Sequence, residues 1–337
     1  MMEKEEDEVG NVDELIPKKK KKTCCNNIVV RRKKYILISS IIIMMMTGIV
    51  ILIIFLLNAK QEIIQIPTAC VNNETNIINN VNNNENNKCN FYMHTKWNNV
   101  LQKFLQKDIV KEGVTFNAFD YSGILQDRSL LDEYLEFLKS AKLKGLTRNG
   151  QLALLLNAYN AFAIDMVISN LCNQQLCTSI RDVPNVPLGV SVWKWKRFIL
   201  DETKFSLDDI EHGMIRPTFK DPRIHSAVNC ASISCPDLRK DAYEELNVQD
   251  LLTNQTKLWL QKPNNKGLKV NSNNVISLSK IFDWYLGDFE NEFPNGMSNF
   301  IKTFGGSDGK SYANQYGNDI NDWNIEYFDY NWNLNIA

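Results

Sequence analysis

The pattern of apolar and polar positions divides the chain into three regimes. Residues 35–57, YILISSIIIMMMTGIVILIIFLL, contain no charged residue and show no polar face. A run of about 20 apolar residues predicts a membrane-spanning helix, because a soluble amphipathic helix would interrupt it with a polar stripe. Residues 58–92 follow as an Asn-rich, low-complexity stretch (VNNETNIINNVNNNENNKCN) with nothing to bury, which predicts a stalk. From about Thr95 the periodicity becomes that of a globular domain, assigned to residues 93–337.

Within that domain, KWNNVLQKFLQKDI spaces Trp97, Val100, Leu101, Phe104 and Leu105 as one helical face. SLLDEYLEFLKSAKL (129–143) is amphipathic, with Ser129 as its expected cap. QLALLLNAYNAFAIDMVISN (151–170) is apolar on nearly every face, but Asn157, Asn160 and Asp165 interrupt it. That combination predicts a helix buried at the centre of the domain rather than a second span. VWKWKRFIL (192–200) alternates like a strand with one wet face, and a helix is expected from Ser206 until Pro217 stops it. VQDLLTNQTKLWLQ (248–261) reads as a helix and LKVNSNNVISLS as a hairpin. SKIFDWYLGDFENEF and GMSNFIKTFGG read as helices, and the aromatic NIEYFDYNWNLN as a closing strand. Helices outnumber strands in mixed order, which predicts an α+β domain.

Charge sets the orientation. Residues 16–34 carry nine Lys or Arg and no acid, whereas the flank after the span, NAKQEIIQIPTACVNNETN, carries one Lys. Basic flanks stay cytoplasmic, so residues 1–34 are expected to be a disordered cytoplasmic tail. Everything beyond the span is then extracellular or lumenal, as in a type II single-pass protein with a retained signal-anchor. A net charge of −1 gives no reason to expect a nucleic-acid partner. The membrane is the expected partner, along with a protein or small-molecule ligand of the domain. No motif calls for a cofactor.

This boundary sorts the cysteines. Cys24 and Cys25 lie on the cytoplasmic side, as palmitoylation candidates or ordinary reduced thiols. Cys70, Cys89, Cys172, Cys177, Cys230 and Cys235 lie beyond the span. An even number in an oxidising compartment reads as disulfides, and sequence proximity favours 70–89, 172–177 and 230–235. Asn73 and Asn254 open N-x-S/T sequons and are candidate glycan acceptors.

Four segments carry a resemblance: NAYNA at 157–161, SLDDIEHGMIR at 206–216, DPRIHSAVNCASISCPDLRKDAY at 221–243 and DYNWNLN at 329–335. In this order they resemble the domain of unknown function 547 family over most of residues 120–337. The resemblance implies one globular unit, of a kind often secreted or anchored, and selects no chemistry.

The residues themselves leave several chemistries open. Asn157 and Asn160 are three apart in an apolar helix and need hydrogen-bond partners, as a structural clamp or as a wall of a polar cleft. Glu211, His212 and Arg216 share one predicted helix, and Glu211 could orient His225. RIHSAVNCASISCP (223–236) admits a thiol nucleophile, Cys230, with His225 as base and Asn229, Asn157 or Glu211 as orienter. It also admits a zinc site on His225, Cys230 and Cys235, although the nearest matching pair is Cys172 and Cys177. The compartment favours a Cys230–Cys235 staple and hence no metal. The leading expectation is a binding module whose polar cleft uses Asn157, Asn160, His225 and Arg216. The alternative is a hydrolase or acyl-transfer enzyme that uses Cys230 or a water activated by His225.

Overall fold

A computed structural model describes residues 93–111, 113–262 and 266–336. The expected tail (1–34), span (35–57) and stalk (58–92) lie outside the described residues, as do Cys24, Cys25, Cys70, Cys89 and Asn73. The described part is mixed helix and sheet, with helices dominant and strands short, in agreement with the α+β expectation.

Its centre is a 21-residue helix. The chain enters through α1 (Thr95–Phe104), the hairpin β1 (Leu105–Lys111) and β2 (Val114–Phe119), then α2 (Tyr121–Gln126) and α3 (Ser129–Ser140). Helix α4 (Arg148–Ile168) follows, capped by the Thr147 hydroxyl, which accepts from the Gly150 N–H at 3.1 Å. Among the described residues, only α4 is long and apolar enough to cross a membrane, yet 94% of its most apolar window is buried inside the domain. A helix that is apolar all round is stable in water only when enclosed, and the larger core packs around it. Near its C-terminus Asp165 stands where a carboxylate opposes the helix dipole. Arg128 at 3.0 Å and Arg197 at 3.4 Å offset that charge.

The two asparagines of α4 are clamps. Asn157 donates to the Tyr243 carbonyl at 2.8 Å and accepts from the Tyr243 N–H at 3.0 Å. Asn160 donates to the Ala227 carbonyl at 2.9 Å and accepts from the Asn229 N–H at 2.8 Å. A side-chain amide has the same donor and acceptor as a peptide group, so each asparagine pins a strandless loop as a neighbouring strand would.

After α4 come β3 (Phe198–Leu200), β4 (Thr203–Phe205), a π-helical turn (Asp209–Ile215), the short α5 (Arg216–Phe219) and a 3₁₀ turn (Pro222–Ser226). Helix α6 (Val248–Gln261) leads to β5 (Leu268–Val270), β6 (Ile276–Leu278) and four further helices. These are α7 (Lys280–Trp284), α8 (Leu286–Glu292), α9 (Gly296–Phe304) and α10 (Gly306–Tyr316). Strand β7 (Ile325–Tyr327) returns parallel to β6. A second, aromatic core gathers Trp259, Phe282, Phe289 and Phe300.

Several expectations need correction. The helical spacing runs through Leu105, but the helix stops at Phe104 and the chain turns into an antiparallel hairpin. Gly113 (φ 75°) and the bulge residue Asp108 (φ 57°) supply the backbone that this needs. Ser129 is the first helical residue of α3, and the cap position belongs to Arg128. Only Phe198–Leu200 of the expected 192–200 strand is extended, since Val192–Lys194 is a 3₁₀ turn. Pro217 does not stop its helix, because it sits in the first turn of α5, where a missing N–H costs nothing. Lys220, in the left-handed region, stops it instead.

Asn157→Ala should lower stability by about 2–4 kcal/mol, because both Tyr243 backbone groups lose their partner in a buried site. The shift in urea midpoint, followed by tryptophan fluorescence, measures it; a loss below about 0.5 kcal/mol would mean that the clamp is not a support.

Candidate functional site

The cavity lies where the two cores meet. It encloses about 220 Å³ and is lined by side chains from α4, the π turn, the 3₁₀ turn, the Cys230 loop, α7 and the C-terminal segment. Glu211, His212, His225, Cys230, Cys235 and Tyr285 are among the lining side chains.

Local folding places each of these. Ser206 and Asp209 cap the helix reciprocally. The Ser206 N–H donates to the Asp209 carboxylate at 2.9 Å, and the Asp209 N–H donates to the Ser206 hydroxyl at 3.0 Å. The helix then widens, with the Arg216 N–H reaching the Glu211 carbonyl, five residues back. Such π turns recur at functional sites because the extra residue re-aims side chains, and here Glu211 and His212 both face the cavity. Asp221 caps the following 3₁₀ turn through the Arg223 N–H at 3.0 Å, which sets His225.

His225 is 2% exposed. Its Nε2 is 2.7 Å from Asp288 Oδ2, and its ring stacks on Tyr285 with centroids 4.2 Å apart. Nδ1 makes no hydrogen bond to another described residue. Asp288 does not line the cavity, so it holds the imidazole from the far side. Arg216 forks onto the same carboxylate at 2.6 and 2.7 Å, lies over the Tyr285 ring at 4.8 Å and donates to His212 Nδ1 at 2.8 Å. Burial raises the Asp288 carboxyl, but the hydrogen bonds from His225 and Arg216 outweigh it and hold the group well below the usual carboxylate range. For Tyr285, burial and then the charge of Glu211 push the phenol well above its ordinary value, so it stays a donor and hydrogen-bonds Glu211.

The Cys230 loop is pinned at both ends. Asn160 holds the Asn229 N–H, and the Asn229 side chain donates to the Pro236 carbonyl at 2.8 Å while accepting from the Ala231 N–H at 2.9 Å. Ala231 sits at φ 61°, left-handed backbone that costs a residue with a Cβ about 1–3 kcal/mol. Cys230 and Cys235 are thiols with sulfurs 2.8 Å apart, rather than the expected bridge. Cys235 Sγ also accepts from the Cys230 N–H at 2.9 Å. The Cys235 hydrogen bond outweighs burial and, with those from Ser232 (3.2 Å) and Tyr330 (3.4 Å), brings the Cys230 thiol down to about 7. Burial pushes Cys235 the other way. Cys172 and Cys177, by contrast, are bridged as expected.

The C-terminal segment closes the cavity. The Ile233 and Ser234 N–H groups donate to the carbonyls of Asn333 and Asn331 at 2.9 and 3.2 Å, and the Asn335 N–H returns to the Ala231 carbonyl at 3.1 Å. This carries Tyr330 and Trp332 onto the site.

The structure therefore unites His225, Glu211 and Cys230. Asn157, Asn160 and Asn229 shape the backbone around them and do not line the cavity, and neither does Arg216. The carboxylate on His225 is Asp288 rather than Glu211. Asn254 is exposed on α6. Among the described residues, no group of three His, Cys, Asp or Glu side chains is placed to hold a metal ion. Sequence reading missed Asp288, Tyr285, Trp284, Tyr330 and Trp332. The only signal was the aromatic density of FDWYLGDF and DYNWN.

Fold and site together define a helix-rich mixed domain built around a buried histidine and a thiol in one aromatic cavity. Residues 143–260 match the family model described as "Protein of unknown function, DUF547", which supports a DUF547 domain over these residues. The match spans α4 through α6, including His225 and Cys230, and ends before Asp288 and the C-terminal wall. No curated protein and no solved structure matches the chain.

Of the two thiols, Cys230 is the one lowered, so it ionises before an ordinary cysteine. Iodoacetamide labelling of Cys230 should therefore rise through about pH 7, more than a unit below an ordinary cysteine, and Cys235 should stay unlabelled. Mass spectrometry over a pH series checks both.

Proposed function

We propose that the domain is a thiol-dependent hydrolase or acyltransferase. Cys230 is its nucleophile, and His225, oriented by Asp288, is its proton carrier. The observation that carries this reading is that Cys230 and an Asp288-backed imidazole line one cavity. A nucleophile, a base and a group orienting the base are the parts that covalent acyl transfer requires.

These groups suffice for the reaction. His225 accepts the Cys230 proton, and the sulfur attacks the carbonyl carbon of an ester, thioester or amide. The new C–S bond forms as the carbonyl pair moves to oxygen. When that pair returns, the bond to the leaving group breaks, and the leaving group takes the proton from His225. Water or another acceptor then gives a proton to His225 and attacks the thioester carbon. The C–S bond breaks, and Cys230 departs as a thiolate. Asp288 stabilises the imidazolium at both stages.

We further infer that the domain is extracytoplasmic, on a type II single span over residues 35–57. The uncharged run and its basic flank support this. The Cys172–Cys177 bridge is of a kind that oxidising compartments produce, and exposed Asn254 leaves room for a glycan. A second reading is a binding module with Cys230 and Cys235 joined. It is favoured by one fact, the 2.8 Å between the two sulfurs.

A free-thiol count on the native protein separates the two readings, because an oxidised Cys230 removes the nucleophile. With the thiol free, a screen of small p-nitrophenyl esters and alkyl thioesters should find turnover that Cys230→Ala abolishes and His225→Ala slows by about 10²–10⁴-fold. Asp288→Asn should lower kcat more than it raises KM, since it acts through His225. Turnover that survives Cys230→Ala would overturn the thiol mechanism.

A further inference from the structure

The cavity's charges and walls have a bias that the thiol chemistry does not use. Asp208 and Glu211 face the cavity, and no Lys or Arg lines it. Glu211 is 6% exposed and makes no ion pair with another described residue. Its neighbour Tyr285 hydrogen-bonds it as a neutral phenol and brings no opposite charge. The nearby guanidinium, Arg216, attracts Glu211 across space but gives its hydrogen bonds to Asp288 and His212. A carboxylate taken from water with no cation in direct contact is costly, and a ligand cation would offset that cost.

The walls fit the same ligand. Trp193, Trp284, Tyr330 and Trp332 form a contiguous aromatic cluster at the cavity. Trp284 stacks on Trp332 at 5.7 Å, Tyr330 lies 4.8 Å from Trp284 and 4.5 Å from Trp332, and Trp193 meets Trp332 edge-on at 5.5 Å. Trp284 is 44% exposed, an unusual position for so large a ring. Arg181 lies over the Trp332 ring at 5.1 Å from outside the cavity lining, so this cluster already accepts a cation on one of its faces. Aromatic faces beside a carboxylate are a recognition surface for organic ammonium groups, and about 220 Å³ admits a compact one.

We propose that the cavity binds a compact organic ammonium group between Glu211 and the Trp284–Tyr330–Trp332 wall. The substrates of the thiol site would then be acyl compounds carrying such a group close to the carbonyl. The substrate part rests on the thiol reading; the binding part does not.

The test uses the full chain in detergent micelles with Cys230→Ala, so that binding is measured without turnover. Tryptophan fluorescence is titrated with choline and with its neutral isostere 3,3-dimethylbutanol. Choline should bind about tenfold more tightly. Glu211→Gln should remove that preference, and Trp284→Ala, at a half-exposed position, should weaken choline without changing the thermal melt. Equal affinity for the two ligands overturns the proposal, as does a preference that survives both substitutions. Choline preference without thiol-dependent turnover of any ester would keep the cation site and discard the thiol mechanism. Thiol-dependent turnover of neutral esters without choline preference would do the reverse.

Discussion

The site depends on one carboxylate shared between a guanidinium and an imidazole. Asp288 belongs to a helix of the aromatic core, whereas Arg216 and His225 flank the larger core. Its two oxygens accept a guanidinium fork and an imidazole, and Tyr285 lies against both partners. A carboxylate so occupied cannot leave without stranding a charge in a partly dry place. The pairing therefore does more than add stability. It sets how the second core sits on the first, and so it sets the width of the cavity between them.

Around that contact the chain uses side chains where a sheet would use backbone. Asn157, Asn160 and Asn229 complete the hydrogen bonds of loops that have no strand beside them. This lets irregular backbone, including left-handed Ala231, lie against an apolar helix without orphaned peptide groups. The last ten or so residues lay a partial ladder on the same loop from the other side.

Much of the fold was legible because its elements bury a regular face. The all-apolar stretch around NAYNA gave the central helix, and 248–261 and the 268–279 hairpin followed from period and turn chemistry. The β1–β2 hairpin was hidden because Leu105 extends the helical spacing past the point where the chain turns. Gly306–Tyr316 was missed because GSDGKSYANQY has the composition of a loop, and only Gly309, Tyr312 and Ala313 are buried. For the site, His225, Cys230 and Glu211 were visible by residue type and the clamp asparagines by their buried context. The partner of His225 was not, because Asp288 lies 63 residues away and its selection is a matter of how two cores dock. The same docking assembles the aromatic wall, and no local pattern encodes it.

The π turn at Asp209–Ile215 adds a constraint on how this chain can change length. A π turn is an α-helix holding one surplus residue, so a single deletion between the Ser206 cap and Arg216 would heal it into regular helix. Each residue of an α-helix advances the side chains by about 100°. With Arg216 fixed on Asp288, healing the turn would swing Glu211 by that angle out of the cavity, while with Glu211 fixed it would tear the guanidinium from its carboxylate. The segment therefore cannot lose one residue without giving up either the place of Glu211 at the cavity or the Arg216–Asp288 pair.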